Sequence, residues 1–269
     1  MKQIFYIKNQ QADDLPLVLS LSIGKHHAGF AITGKASARL YELGWCSTEK
    51  LSQEALQEFT GLYPVLKEKT FSEVLVQYSF AESTLVPSKY FRHEEAGTLH
   101  AALFGKEPDR NVVSETIAEW QLHNVYALPV FVQQWLSEHY QQARFYHRHT
   151  IALRSLQSHE QGVIQAEFGH NSFSVLVSKG SKLLLAQTYS YASPADVLYH
   201  LLKICQEFSL AQQEVQLLLS GFIDRDSALY KELYQYFIHI EFRYADIIAT
   251  AENPSHFFTS LNDLAQCAS

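Results

Sequence analysis

The stretch LSLSIGKHHAGFAITG, residues 19–34, consists of two short apolar runs joined by a small polar turn. The turn holds Gly24, Lys25, His26 and His27. Apolar and small residues on both sides predict two strands paired as a hairpin. Such a hairpin is either a plain turn or a cradle whose backbone N–H groups bind phosphate. The two interpretations lead to different functions.

The same order of elements occurs twice, the second time from GVIQAEFG at 162–169. The first half predicts strands near 17–23, 28–33 and 38–46, a helix near 52–66 and a strand at 71–80. The second half predicts strands at 162–169, 172–180 and 181–191, a helix from 194 and a strand at 215–221. The two halves match in the order of their predicted elements, not in residue identity. This match predicts a duplication in which an antiparallel meander leads into parallel βα crossovers.

Two helix starts are well marked. Ser52 precedes apolar residues at helical spacing, a favourable N-cap arrangement. The second helix start, in the second half, has Ser193 as a candidate N-cap. Pro194 presets the φ of the first turn, and Asp196 places a carboxylate at the helix N-terminus. Apolar residues then recur at i, i+3 and i+4 over 197–208, so this helix is predicted to cover a sheet.

The middle of the chain, 81–161, is harder to assign. It predicts a helix after Pro87, strands at 111–120 and 124–129, a helix at 130–142 and a strand at 144–149. Beyond 221 we predict a helix at 227–237, a strand at 238–244 and a terminal helix near 255–266. We place one domain at 1–158, with 82–123 as a candidate insert, and a second at 159–269.

Composition and charge narrow the class of protein. The chain has 269 residues, of which 47% are hydrophobic, enough to fill a large core. Lys+Arg 21 against Asp+Glu 28 gives a net charge of -7 without a basic stripe, which argues against nucleic acid as a partner. Cys46, Cys205 and Cys267 form no CxxC pair and fit reduced thiols. Lys8 and Asp13 interrupt the N-terminal apolar runs, so we predict a cytoplasmic protein without signal peptide or membrane span.

A three-stranded meander followed by βα units, present twice, resembles the actin-like ATPase superfamily, which includes actin, heat-shock 70 chaperones, sugar kinases, FtsA, PilM and GspL. Within it the chain is similar to an uncharacterised Bacteroidetes family of unknown function. The residues that carry this closer resemblance are STLVPSKYF at 83–91, NVYALP at 124–129 and YSYASPADVLYHLL at 189–202. The resemblance implies an α/β fold of duplicated actin-like, ribonuclease H-like βββαβα units, two lobes around a cleft.

The superfamily resemblance also implies a nucleotide site. Active members carry Asp-x-Gly at both hairpins, where backbone N–H groups meet phosphates and the aspartate orients Mg²⁺ or a water. The matching triplets here begin with Ser22 and Glu167, and the glycine pair of the usual adenosine loop is matched by Ser220-Gly221. The motifs are thus present in outline and altered in chemistry. The resulting candidate cofactor-binding residues are Gly24, Lys25, Glu167, Gly169, Ser220 and Gly221.

Each candidate has a simpler explanation. Gly24 and Gly169 are also typical of plain hairpin turns, Lys25 of an exposed turn, and Glu167 of an edge-facing strand position. Asp224 and Asp226 are typical of a polar turn or helix cap.

Other groups of residues are weaker candidates for a functional site. His147 and His149 would share a strand face, a spacing that binds zinc, but nothing near them in sequence completes the site. Cys46 and Cys205 lie in apolar runs typical of small hydrophobes. Tyr230, Tyr234 and Phe237 form a stripe typical either of a core or of a partner surface. No residue is therefore assigned a catalytic or metal-binding role.

Three functional hypotheses remain from the sequence. The first is a protein that has lost most ATPase chemistry, a pseudo-ATPase that binds another protein or assembles, with no prediction of its oligomeric state. The second is an active ATPase or small-molecule kinase that uses Glu167, with ATP and magnesium as ligands. The third is a pure scaffold with a closed, nucleotide-free cleft.

Overall fold

The computed structural model describes residues 1–9, 16–37, 39–245 and 254–266. The strands are β1 (Lys2–Lys8), β2 (Leu17–Gly24), β3 (His27–Gly34), β4 (Leu40–Ser47), β5 (Glu73–Ser79), β6 (Ser83–Pro87), β7 (Arg110–Ile117), β8 (Leu122–Pro129), β9 (Arg144–His147), β10 (Val163–Phe168), β11 (Ser172–Lys179), β12 (Lys182–Ser190), β13 (Gln216–Gly221) and β14 (His239–Phe242). The α-helices are α1 (Gln53–Leu62), α2 (Val65–Glu68), α3 (Ala96–Phe104), α4 (Val130–His139), α5 (Arg148–Arg154), α6 (Pro194–Glu207), α7 (Ala228–Tyr234) and α8 (Thr259–Gln266).

The chain divides into two compact units. The first comprises Met1–Ile151 together with the C-terminal residues from Leu261, and the second comprises Ala152–Ser260. Each unit contains one of the two predicted repeats. The C-terminal helix α8 is assigned almost wholly to the first unit, where Leu264 packs with Val18, Leu75 and Ile151 on one face of the sheet.

The first unit is built on a six-stranded sheet in the order β1-β4-β3-β2-β5-β9. Its central strand β2 is buried at every position, pairs antiparallel with β3 and pairs in parallel with β5. One face of β2 places Leu19, Leu21 and Ile23 in the main core, against α1 and α4. The predicted meander and crossover are confirmed in this unit.

The second unit repeats the plan in a five-stranded sheet, β12-β11-β10-β13-β14. Strand β10 pairs antiparallel with β11 and in parallel with β13, as β2 does with β3 and β5. Helix α6 begins at the predicted capping box, in which the Ser193 side chain accepts from the Asp196 N–H and the Asp196 carboxylate accepts from the Ser193 N–H. Val197, Leu201 and Cys205 of this helix pack against the sheet, as predicted.

A third, three-stranded sheet, β6-β8-β7, lies in the first unit and carries α3. Strands β6 and β7, helix α3 and the start of β8 lie within the candidate insert, 82–123. The helix predicted after Pro87 is α3, and the predicted strands are β7 and β8.

The main errors of the sequence analysis lie at the edges and in the middle of the chain. Strands β1 and β6 were not predicted. The strand predicted at 144–149 ends at His147, and helix α5 begins at Arg148. The terminal helix predicted at 255–266 is a 3₁₀ turn, Ser255–Phe258, followed by α8. Cys267 lies outside the described residues.

Gly221 fixes how β13 leaves the sheet beside β10. Its φ is +77°, and a Cβ at this position would lie 2.2 Å from the carbonyl oxygen of Phe168. The same carbonyl accepts the Phe222 N–H at 2.8 Å, so the backbone cannot move aside without losing this hydrogen bond. A side chain at position 221 therefore meets both an unfavourable φ and a backbone contact.

We expect Gly221→Ala to lower the free energy of unfolding by about 2 kcal/mol or more, because φ strain and the clash act together. The matched control is Gly180→Ala, since Gly180 has φ +56° but nothing within 4 Å of its Cβ position. Strain alone should cost this control about 1 kcal/mol. Urea unfolding of both variants measures the difference, and equal losses would contradict the role of the Phe168 contact.

Candidate functional site

The hairpin of the first unit is closed by a two-residue turn. Gly24 at the end of β2 pairs directly with His27 at the start of β3, so Lys25 and His26 form the turn. Its carbonyls are already used: Lys25 O accepts the Leu51 N–H at 3.0 Å and His26 O accepts the Thr48 N–H at 2.9 Å. The Lys25 side chain is exposed. The turn is therefore held against residues 48–51.

The imidazole of His27 fills the space above Gly24. A Cβ on Gly24 would lie 2.4 Å from His27 Cε1 and 2.8 Å from Nδ1. The ring stacks on Trp45, with centroids 4.6 Å apart and planes at 14°. Gly24 thus accommodates a neighbouring side chain from its own hairpin, and its φ does not require glycine.

Ser22 occupies the position where the resemblance implies an aspartate. Its Oγ lies 3.2 Å from His27 Nε2 and 3.4 Å from Ser79 Oγ, and Ser79 Oγ accepts from Gln77 Nε2 at 3.2 Å. Ser20, on the same face of β2, is fully buried, and its Oγ has no hydrogen-bond partner among the described residues. This face of the sheet is polar at the hairpin end, and at position 22 a neutral hydroxyl bonded to an imidazole replaces the expected carboxylate.

Electrostatics keep the His27 ring neutral. Burial, followed by the Coulombic effects of nearby Arg148 and His26, lowers the pKa of His27 to about 3. At neutral pH the ring therefore carries no charge to attract phosphate. Its Nε2 acts as a hydrogen-bonding group within the hairpin, towards Ser22 Oγ.

The hairpin of the second unit keeps the carboxylate. Glu167 is half-buried on β10 and lies between Ser174 of β11 and Ser220 of β13 in the sheet register. Gly169 closes the strand end, where its N–H donates to Ser172 O at 2.8 Å and its carbonyl accepts from Tyr191 OH at 2.9 Å. Glu167 and the turn at Gly169 therefore both lie at the hydrogen-bonded end of β10.

The end of β13 lies beside this hairpin. Ser220 pairs with Glu167 and Gly221 pairs with Phe168. Ser220 is fully buried, and within the part of the chain that the structure describes its Oγ has no hydrogen-bond partner. Farther along, Ser227 caps α7, and its hydroxyl donates to the Asp224 carbonyl at 2.6 Å, so Asp224 lies in a capping turn.

Two groups of candidate residues result. Gly24 and Lys25 lie at the hairpin of the first unit. The second unit brings its four candidates together at the adjacent ends of β10 and β13: Glu167, Gly169, Ser220 and Gly221. The sequence analysis missed the role of His27. A two-residue turn necessarily sets position 27 opposite Gly24, so the signal was present in the hairpin spacing.

The histidine pair considered for zinc is placed differently from the prediction. His147 ends β9 and His149 lies in α5, so they do not share a strand face. His147 Nε2 donates to the Phe80 carbonyl at 2.9 Å, and its Nδ1 accepts from the His149 N–H at 3.1 Å. Ser83 Oγ lies 3.0 Å from His149 Nδ1. Among the described residues, no group of three or more His, Cys, Asp or Glu side chains is placed to hold a metal ion.

The tyrosine stripe divides into core and surface. Phe237 is buried, and Tyr230 stacks on Phe242 with centroids 5.5 Å apart. Tyr234, Tyr236 and Ile238 are 65%, 42% and 63% exposed. Phe237 and Tyr230 therefore belong to the core, whereas a partner surface at the exposed residues stays a prediction.

The two described cysteines are buried. Cys46 Sγ lies 3.4 Å from Tyr63 OH, and burial raises the pKa of the Cys205 thiol to about 11. Both therefore behave as small hydrophobic residues.

Comparison with known proteins identifies the family. A family model described as protein of unknown function (DUF3822) matches residues 9–240, so the chain belongs to this family. None of the curated proteins matches the chain significantly. No helix in the described parts of the chain is long and apolar enough to cross a membrane.

Solved structures confirm the fold. A Bacteroides thetaiotaomicron protein with an actin-like ATPase fold and unknown function is 19% identical, with a TM-score of 0.77 over 93% of this chain and 96% of that chain. The PilM–PilN type IV pilus biogenesis complex contains a chain that is 13% identical, with a TM-score of 0.57 over 93% of this chain and 98% of that chain. The protein therefore has an actin-like ATPase fold, as the sequence predicted.

The buried histidines predict how stability depends on pH. Burial lowers the pKa of His147, which is 0% exposed, to about 3, whereas an unfolded histidine titrates near its ordinary value of 6.5. Below that value the unfolded chain gains a proton that the folded chain does not, so stability falls as pH decreases. From pH 7 to pH 5 this one histidine should cost roughly 2 kcal/mol.

We expect His147→Gln to flatten the decline of unfolding free energy between pH 7 and pH 5 by this amount. Urea unfolding at several pH values measures the slope. Exposed His239 provides the control, and His239→Gln should retain the wild-type slope. A His147→Gln slope equal to that of wild type would contradict the neutral, buried state of His147.

Proposed function

We propose that the protein is a binding or assembly module with an actin-like fold that has lost most of the ATPase chemistry. One observation carries this proposal: Ser22 replaces the expected aspartate and is bonded to His27, whose ring fills the space above Gly24. Magnesium in nucleotide sites is usually held by one or two carboxylates together with water and substrate phosphates, and a neutral serine hydroxyl does not supply the carboxylate. A phosphate approaching the Gly24 backbone would also have to displace the imidazole from Ser22 and Trp45.

Binding to another protein fits the surface of the second unit. The exposed side chains of Tyr234, Tyr236 and Ile238 follow one another closely at the end of α7. Tyrosine is enriched at protein interfaces, and the net charge of -7 disfavours nucleic acid. The likeness to PilM, which occurs in a complex with PilN, supports the same class of function by analogy. We place this activity in the cytoplasm, consistent with the absence of a disulfide framework in the sequence.

The second candidate is an active ATPase or small-molecule kinase that uses Glu167. The observation that favours it is the cluster in the second unit, where this carboxylate lies beside the buried Ser220 hydroxyl and the Gly221 backbone. In this proposal Glu167 orients Mg²⁺ or the attacking water, and Gly169, Ser220 and Gly221 contact the nucleotide.

Calorimetric titration with ATP and ADP, with and without Mg²⁺, separates the two proposals. The module proposal predicts that Mg²⁺ does not strengthen nucleotide binding, because no carboxylate is present at position 22. The outcome that contradicts it is Mg²⁺-dependent binding accompanied by phosphate release from ATP.

A matched pair of variants tests the source of any turnover. Glu167→Gln removes the carboxylate at nearly constant size and should abolish turnover if the enzyme proposal is right. Glu160→Gln makes the same change at an exposed position and should leave turnover unchanged. Equal turnover in wild type and Glu167→Gln would overturn the enzyme proposal.

A further inference from the structure

The outer edge of the meander differs between the two units. In the first unit the third strand of the meander, β4, pairs with β3 on one side and antiparallel with β1 on the other. In the second unit the third strand, β12, pairs with β11, and no described strand lies beyond it. The two meanders have the same strand order, so β12 corresponds to β4. The outer edge of β12 therefore corresponds to the edge of β4 that β1 covers in the first unit.

The other sheet edges in the described residues are short, charged or interrupted. Strands β9 and β14 have four residues each, and β6 ends at Pro87. Strand β7 contains Arg110 and Glu115, and β1 begins with Lys2 and ends with Lys8. Short strands, charges and prolines are the usual means of preventing an edge from pairing with another chain.

Strand β12 has few of these protections. It is nine residues long, and after Lys182 it contains neither a charged residue nor a proline. Leu183, Leu184 and Leu185 are only half-buried. The register shift in its pairing with β11 leaves Leu184 in a bulge, so the regular part of the edge is 185–190.

We propose that the β12 edges of two copies of this chain pair antiparallel about a twofold axis, joining the two second-unit sheets into one. A second copy suits this edge because antiparallel pairing of identical strands is isologous and closes as a dimer. The segment 185–190 is uncharged, so two copies can approach there without opposing like charges despite a net charge of -7 on each chain. The pairing direction is that of β1 on β4. The inference goes beyond the proposed function, since it names the partner in assembly as the protein itself.

Sedimentation and light scattering over a range of concentrations test the proposal. We expect a reversible dimer of the 30.7 kDa chain. Hydrogen exchange at low and high protein concentration should show slower exchange on dimerisation at amides within 185–190. A monomer at every concentration, or a dimer with protection elsewhere, overturns the proposal.

A pair of charge variants tests the location independently. Gln187→Lys places like charges near the twofold axis and should raise the dimer dissociation constant by about tenfold or more. Gln213→Lys makes the same change at an exposed turn position and should leave the constant unchanged. Equal constants for the two variants overturn the proposal, with circular dichroism confirming that both fold. Neither measurement uses nucleotide, so failure here is distinct from failure of the proposed function.

Discussion

The central strand of each sheet is the constraint on which the rest of the structure depends. Strand β2 must pair antiparallel with β3 and in parallel with β5, and β10 must do the same with β11 and β13. Such a strand is buried on both faces and hydrogen-bonded on both sides, so its hairpin end is fixed in position. Every candidate site residue lies at the end of one of these central strands or of a strand or turn next to it.

The first hairpin shows how a backbone plan that is repeated within the chain can carry different side-chain chemistry. Its backbone has the expected geometry, but Ser22 and His27 bond to each other across it. A hydrogen bond between neutral groups stabilises the hairpin without binding a cation, and the stacked ring of Trp45 holds the imidazole in place. In the second hairpin the Glu167 carboxylate remains beside Ser220. The two halves of the fold have thus diverged, and the loss of phosphate chemistry that we propose rests on the first.

Periodicity predicted the parts of the fold that depend on local sequence. The meanders, the Ser52 and Ser193 caps and the α6 face follow from alternation and capping chemistry, and all were confirmed. Strand β1 was missed, and the strand predicted at 144–149 extends past the observed end of β9 at His147, because edge strands owe their conformation to pairing with distant residues. At the site, the residue types at 22, 167 and 220 were visible in sequence, whereas the stacking of His27 on Trp45 depends on tertiary packing. Their roles in ligand binding remain predictions.

The most direct test of the account is to measure the protonation state of the His27 ring. Proton–nitrogen NMR reports this state for the imidazole between pH 5 and pH 8, with and without Mg²⁺ and ATP. The account predicts a ring that stays neutral over this range, because burial and nearby positive charge lower the pKa of His27 to about 3. It also predicts that nucleotide leaves both nitrogen signals in place. A ring that gains a proton near pH 6.5 and shifts when ATP and Mg²⁺ are added would show that the hairpin opens to phosphate, and would contradict the account.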